Sequence, residues 1–179
     1  MKKWILPLFV LLVGIATHAT LGAADVASTK YHFSLLGDSP ELFDASGKTV
    51  VPKYILKQKY LVLYFSASWC GPCHQFNPEF IAWYKANGGG KDFEVILVGQ
   101  DDDTAAIKKY MKDEAFPWIA FEKKGKQFEA IEKKYGGKGI PCVVVLDEKD
   151  EVVAHSFKGD QYLGPKAPLE KLLQLEKGK

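Results

Sequence analysis

Two short runs rich in strand formers do most to limit the fold. They are Leu61-Val62-Leu63-Tyr64-Phe65 and Phe93-Glu94-Val95-Ile96-Leu97-Val98. Nearly continuous apolar character suits strands covered on both faces. Between them, Cys73, Phe76, Phe80 and Tyr84 recur at i, i+3, i+7 and i+11, one apolar face of a helix from Cys70 to Ala86. Asn87-Gly88-Gly89-Gly90 stops that helix. A strand, a helix and a second strand in this order predict parallel pairing with a right-handed crossover. Downstream, Asp101-Asp102-Asp103 caps a helix over Thr104–Lys112. Phe116–Phe121 is an aromatic loop or short strand, and Phe128–Tyr135 a short amphipathic helix. Cys142–Leu146 and Glu151–His155 form a hairpin through Asp147-Glu148-Lys149-Asp150, and Leu169–Leu175 closes the chain as a helix. Upstream, Tyr31–Leu36 alternates weakly, as an edge strand does. Gly37–Pro40 and Ser46–Lys48 are turn signals, and a short helix is expected between Val51 and Tyr60. The expected architecture is α/β, a central mixed sheet flanked by helices in three layers.

The start of the chain has a different character. Met1-Lys2-Lys3 precedes thirteen apolar residues, Trp4–Ala16, interrupted by Pro7. A bilayer span needs about 20. Small residues follow, and Gly22-Ala23-Ala24 fits a cleavage site, with Ala19 as a second. The expectation is a signal peptide over 1–24 and one domain over 25–179, with an uncleaved anchor as the alternative. An exported chain, periplasmic or secreted, meets conditions in which cysteines pair. Cleavage after Ala24 removes two lysines and no acid, leaving 22 Lys against 22 Asp plus Glu. All cations are lysine. Arginine supplies the bidentate fork that reads phosphates and base edges, so no nucleic-acid partner is expected.

Trp69-Cys70-Gly71-Pro72-Cys73-His74 sits where the first strand gives way to the helix. Backbone N–H groups at a helix start favour an anion on Cys70, and a thiolate there is a nucleophile with lowered pKa. Cys73, one turn further in, is placed to attack a disulfide formed at Cys70. Pro72 is harmless in the first turn, and Gly71 removes bulk beside the sulfur. Four other readings compete. A structural disulfide across so short a loop stabilises little. Half a zinc site lacks a second cysteine pair. Cys70-x-x-Cys73-His74 is also the c-type haem attachment pattern. The fourth reading is a pair of buried, inert thiols.

Tyr64-Phe65-Ser66-Ala67-Ser68-Trp69-Cys70-Gly71-Pro72-Cys73 resembles the active-site strand and turn of the thioredoxin superfamily. With Pro117-Trp118-Ile119-Ala120, the stretch is most similar to the tryparedoxin and nucleoredoxin branch. The resemblance covers about residues 50–157. It implies a thioredoxin-like sandwich, thiol–disulfide exchange at a Cys70/Cys73 redox pair, and no bound cofactor or metal. Pro78 stands where the family carries a helix-kinking proline. Ile140-Pro141 stands where it carries a cis proline, and implies that the Ile140 backbone docks a substrate strand. Trp69 is expected to line that groove. Two positions depart from the pattern. Tyr64 stands where thioredoxins often bury an acid, leaving His74, Glu79 or water to move the Cys73 proton. Gly71-Pro72 resembles reducing thioredoxins, whereas the branch often has two prolines.

Four further features complete the reading. Strand alternation turns Cys142 away from the Pro141 face, as a buried inert thiol, with a regulatory thiol as the alternative. Trp118 fits the groove and the core equally well. Lys123-Lys124-Gly125-Lys126 is a solvated loop. His32 and His155 have no partners at ligand spacing. The expected function is reduction of disulfide-containing protein substrates, with electrons from a membrane thiol relay and no stable membrane insertion after cleavage. A net oxidant or isomerase, a c-type haem protein and a metal carrier using Cys70, Cys73 and His74 are the alternatives.

Overall fold

The computed structural model describes residues 31–37, 41–51, 53–123 and 125–178. The expected leader and both cleavage sites, and Asp38–Pro40 of the first turn signal, lie outside them. In chain order the elements are α1 (Phe33–Leu36), β1 (Leu42–Phe43), β2 (Thr49–Val50), a 3-10 turn (Ile55–Lys57), β3 (Tyr60–Ser66), α2 (Gly71–Ala86) and β4 (Phe93–Gly99). There follow α3 (Thr104–Asp113), β5 (Ile119–Phe121), α4 (Lys126–Tyr135), β6 (Cys142–Leu146), β7 (Val152–His155), β8 (Phe157–Lys158), β9 (Gln161–Tyr162) and α5 (Lys166–Lys177).

The main sheet runs β2-β1-β5-β4-β3-β6-β7. β3 pairs parallel with β4, from Tyr60↔Phe93 to Ser66↔Gly99, and β4 pairs parallel with β5. β6 lies antiparallel on the other side of β3, and β7 continues from β6 as an antiparallel edge. The mixed sheet of the sequence reading is therefore present. Alternation along β3 splits its side chains between two cores. Tyr60, Val62 and Tyr64 meet α2, α3 and α5 through Phe80, Tyr110 and Leu172. Leu61, Leu63 and Phe65 meet α4 and the N-terminal segment through Phe128, Ile131, Ile55 and Leu36. All seven β3 residues are buried, which is why this strand reads as an apolar run. Gly99 ends β4 beneath α3, where a Cβ would come within 2.6 Å of Ile107.

Two expectations need correction, and two hairpins add to the reading. Tyr31–Leu36 is not an edge strand: Leu36 N–H bonds the His32 carbonyl at 2.9 Å and the segment closes as α1. A buried contact overrides the weak alternation, because His32 bonds Asp150 at 2.7 Å and the Gln58 carbonyl at 3.1 Å. The helix expected between Val51 and Tyr60 shrinks to the 3-10 turn at Ile55–Lys57. The Ser46–Lys48 turn closes a hairpin that adds β1 and β2 to the sheet edge, with Asp44 Oδ1 accepting from Ser46 and Lys48. Finally, β8 and β9 form a small separate hairpin between β7 and α5 that the sequence reading does not include.

Candidate active site

The sheet register assembles the site. β3 ends at Ser66, and Ala67-Ser68-Trp69 carries the chain to α2. β6 begins opposite this end, with Cys142 facing Phe65. The residues just before Cys142, Ile140 and Pro141, are thereby brought against the start of α2, 70 positions from Cys70. The Ile140–Pro141 peptide is cis.

Cys70 is the N-cap of α2 and forms a disulfide with Cys73, Cα–Cα 5.2 Å. Its Sγ accepts the Cys73 N–H at 3.2 Å, and the Ile140 carbonyl oxygen lies 3.9 Å away. Pro72 occupies the first turn, where its missing N–H costs nothing. A Cβ on Gly71 would meet no atom within 4 Å, so Gly71 leaves open space beside the sulfur. Cys70, Cys73, Ala67 and Ile140 form a small apolar cluster of their own. Both residues are nearly covered, Cys70 at 4 % exposure and Cys73 at 0 %. Cys70 is thus the outer sulfur and Cys73 the inner one.

Two shallow grooves meet at Ile140. One is lined by Pro72, Gln75, Phe76, Ile140, Pro141 and Tyr162. The other is lined by Phe65, Trp69, Gly137, Lys138 and Ile140. Trp69 projects from the turn with 67 % of its surface exposed. Trp118, in contrast, is a core residue at 2 % exposure. It stacks on Phe116 at 4.8 Å and packs against Phe80, Tyr84 and Tyr64, so it lines no groove at the disulfide. Pro78 lies inside α2, and the helix runs through it to Ala86.

The acid that thioredoxins often bury is replaced by a neutral network. Tyr64 donates to Asn77 Oδ1 at 2.7 Å, Asn77 Nδ2 donates to the Tyr110 hydroxyl at 2.8 Å, and Tyr110 bonds Ser66 Oγ at 2.8 Å. Burial pushes both phenols above their ordinary range, so they stay protonated. Glu94 is buried, and desolvation raises its pKa. It faces Leu61, five residues along β3 from Ser66, or about 16 Å at strand rise, and serves Tyr84 instead. Glu79 pairs with Lys166 at 2.7 Å on the surface.

Three contributors were not singled out by sequence. Asp101, read as part of a helix-capping run, is 2 % exposed and accepts from Ser68 N–H at 3.1 Å and Ser68 Oγ at 2.5 Å. Only Asp103 caps α3, at Ala106 N–H. Glu114, just past α3, bonds His74 Nδ1 at 2.5 Å, while His74 Nε2 bonds the Ser68 carbonyl at 2.6 Å. Tyr162 donates its hydroxyl to the Pro141 carbonyl at 2.7 Å. Cys142 is a free, fully buried thiol, and burial pushes its pKa up to about 11, as an inert thiol requires.

Residues 58–152, more than half of the chain, match the family described as thioredoxin-like. The chain belongs to the thioredoxin-like family. Nucleoredoxin of Xenopus laevis is 33% identical over 100 residues, covering 55% of this chain and 24% of that protein. Tryparedoxin of Trypanosoma brucei brucei is 33% identical over 91 residues, covering 50% of this chain and 61% of that protein. The chain therefore spans about a quarter of the nucleoredoxin it matches. Among solved structures, native tryparedoxin I from Crithidia fasciculata superposes with a TM-score of 0.58 at 27% identity, over 69% of this chain and 84% of that one. Thioredoxin from Wuchereria bancrofti superposes with 0.59 at 27% identity, over 77% and 94%. These relatives place the thioredoxin-like domain with the tryparedoxin and nucleoredoxin branch.

Proposed function

We propose that the chain is an exported thiol–disulfide oxidoreductase that reduces protein disulfides through Cys70 and Cys73. The observation that carries this reading is the outer sulfur of Cys70, set at the N-cap of α2 and bonded to a second sulfur one turn inside. In the reduced protein the Cys70 thiolate attacks one sulfur of a substrate disulfide. A mixed disulfide forms and the first substrate thiolate leaves. Cys73, deprotonated, then attacks Cys70 Sγ, and the second substrate thiolate leaves. Two electrons pass to the substrate, its two sulfurs take up protons, and the enzyme ends with the Cys70–Cys73 bond. A dithiol donor reverses the exchange. For an exported protein that donor is a membrane thiol relay. Extended substrate segments lie against the Ile140–Pro141 edge, between Trp69 and Tyr162.

The chemistry of the site supports this reading over the haem and metal alternatives. Both ring nitrogens of His74 already have partners, so none is free as a ligand. Export rests on the basic and apolar leader before Asp25. N-terminal sequencing of protein recovered from outside the cytoplasm is expected to begin at Asp25; a start at Met1 contradicts cleavage.

The test of mechanism is a trap. Cys73→Ser is expected to accumulate a covalent complex through Cys70, released by reductant, and Cys70→Ser is not. Absence of a complex from both variants contradicts the mechanism.

A further inference from the structure

His74 follows directly on Cys73, and the family pattern assigns it no part in the exchange. Its ring is held on three sides. Nε2 faces the Ser68 carbonyl at 2.6 Å, Nδ1 faces the Glu114 carboxylate at 2.5 Å, and the ring edge meets Tyr110 at a centroid distance of 5.6 Å. Both nitrogens thus face acceptors. A neutral imidazole has one N–H and satisfies one of them; the imidazolium satisfies both. Hydrogen bonding to Ser68, then to Glu114, raises the His74 pKa even though the side chain is 44 % exposed. Ser68 is gripped again from its other side by Asp101, and Cys70 N–H bonds the Ala67 carbonyl at 3.1 Å. The turn that presents Cys70 is therefore strapped to the end of α3 by one histidine. The charged and titratable groups around that histidine are Glu114 and Tyr110 on the α3 side, Asp101 beyond Ser68, and the two cysteines of its own helix.

We propose that His74 is a positioning residue for the Cys70–Cys73 couple: as an imidazolium it fixes the Ser68–Cys70 turn between Glu114 and α2 and holds a positive charge beside the thiolate of the reduced state. The inference rests on the redox reading above. Its consequence is reciprocal, because a cation that favours the Cys70 thiolate is itself favoured by that thiolate. The His74 pKa is higher in the reduced protein than in the oxidised one, and removing the charge shifts the couple toward the disulfide.

Two measurements on the full chain test this. The first is NMR titration of the His74 ring in the oxidised and the reduced protein. The expected result is a higher pKa on reduction, by about one unit, the lower end of the effect of a nearby opposite charge. Equal values in the two states overturn the proposal. The second is the equilibrium of the pair with glutathione at pH 6 for wild type, His74→Gln and His74→Lys. His74→Gln is expected to favour the disulfide about ten-fold more than wild type, equivalent to about 30 mV. His74→Lys, which restores a cation, is expected to stay within about three-fold of wild type. If His74→Gln matches wild type, the charge does not act on the couple and the proposal fails. A merely structural role would perturb Gln and Lys variants alike. If a variant is unfolded, the wild-type titration still decides. The redox reading fails separately, if wild-type protein does not cycle with glutathione at all.

Discussion

Ser68 is the residue on which the presentation of Cys70 converges. Its N–H and hydroxyl bond the buried Asp101 carboxylate, and its carbonyl bonds His74. Asp101→Ala removes the buried acceptor of the Ser68 N–H and hydroxyl, two hydrogen bonds worth about 0.5–1.5 kcal/mol each. The variant is expected to stay folded but to unfold at lower denaturant, and to react more slowly with a protein disulfide. Wild-type midpoint and rate in Asp101→Ala contradict this. Cys142 behaves oppositely. With its thiol held near pKa 11 by burial, its thiolate fraction at pH 8 is about one in a thousand. Mass spectrometry of reduced native protein is expected to find Cys142 unlabelled by iodoacetamide until denaturant is added. Labelling at native rates comparable to Cys70 contradicts an inert thiol.

Among the elements, the β8–β9 hairpin carries the clearest functional expectation. Phe157 and Tyr162 pack at 4.8 Å, and this contact holds the Tyr162 hydroxyl on the Pro141 carbonyl. The hairpin thereby braces the strand edge proposed to receive substrate. Tyr162→Phe removes one hydrogen bond and keeps the ring. About 0.5–1.5 kcal/mol is at stake, so KM for a protein disulfide is expected to rise about three- to ten-fold. The rate with a small dithiol is expected to hold, since that reagent needs no docking edge. A parallel loss with both substrates contradicts a docking function. This hairpin also marks where sequence reading stopped. Its strands have two residues each, too short for period-2 alternation to register. β1 and β2 escaped for the same reason. The long, doubly covered β3 and β4 were legible because every residue of each is buried.

At the scale of the whole molecule, one buried pair ties the start of the described chain to the β6–β7 turn. His32, at φ +58° and 1 % exposure, bonds Asp150, at φ +60° and 5 % exposure, and Ser34 Oγ donates to the same carboxylate. Burial alone would raise the Asp150 pKa; the His32 and Ser34 hydrogen bonds more than offset it and hold the carboxyl below its ordinary value. Because the folded pKa is depressed, the stabilisation is present above the unfolded pKa, about 3.9, and is lost as pH falls through the folded value. His32→Ala is expected to cost about 3 kcal/mol by stranding a buried carboxylate, and Asp150→Asn to flatten the acid limb of stability. Chemical denaturation between pH 2 and 7 checks both; an unchanged acid limb in Asp150→Asn contradicts the assignment. No local pattern announces a contact between residues 118 positions apart, and this is why Tyr31–Leu36 read as a strand. The Cys70–Cys73 motif was legible because its chemistry is carried by residue type and short spacing, and Ile140–Pro141 because its place matches the thioredoxin pattern. Asp101, Glu114 and Tyr162 were not, because only the end of β4, the end of α3 and the β8–β9 hairpin bring them to the site.

The central claim is that Cys70 is an activated, outward sulfur. The most direct measurement is the pH dependence of iodoacetamide alkylation at Cys70 in the freshly reduced protein, read peptide by peptide. The account predicts a single inflection below about 7.5, the upper end for such motifs, with Cys73 reacting far more slowly. An inflection near 8.5, the value of an ordinary thiol, or faster labelling of Cys73 than of Cys70, contradicts it.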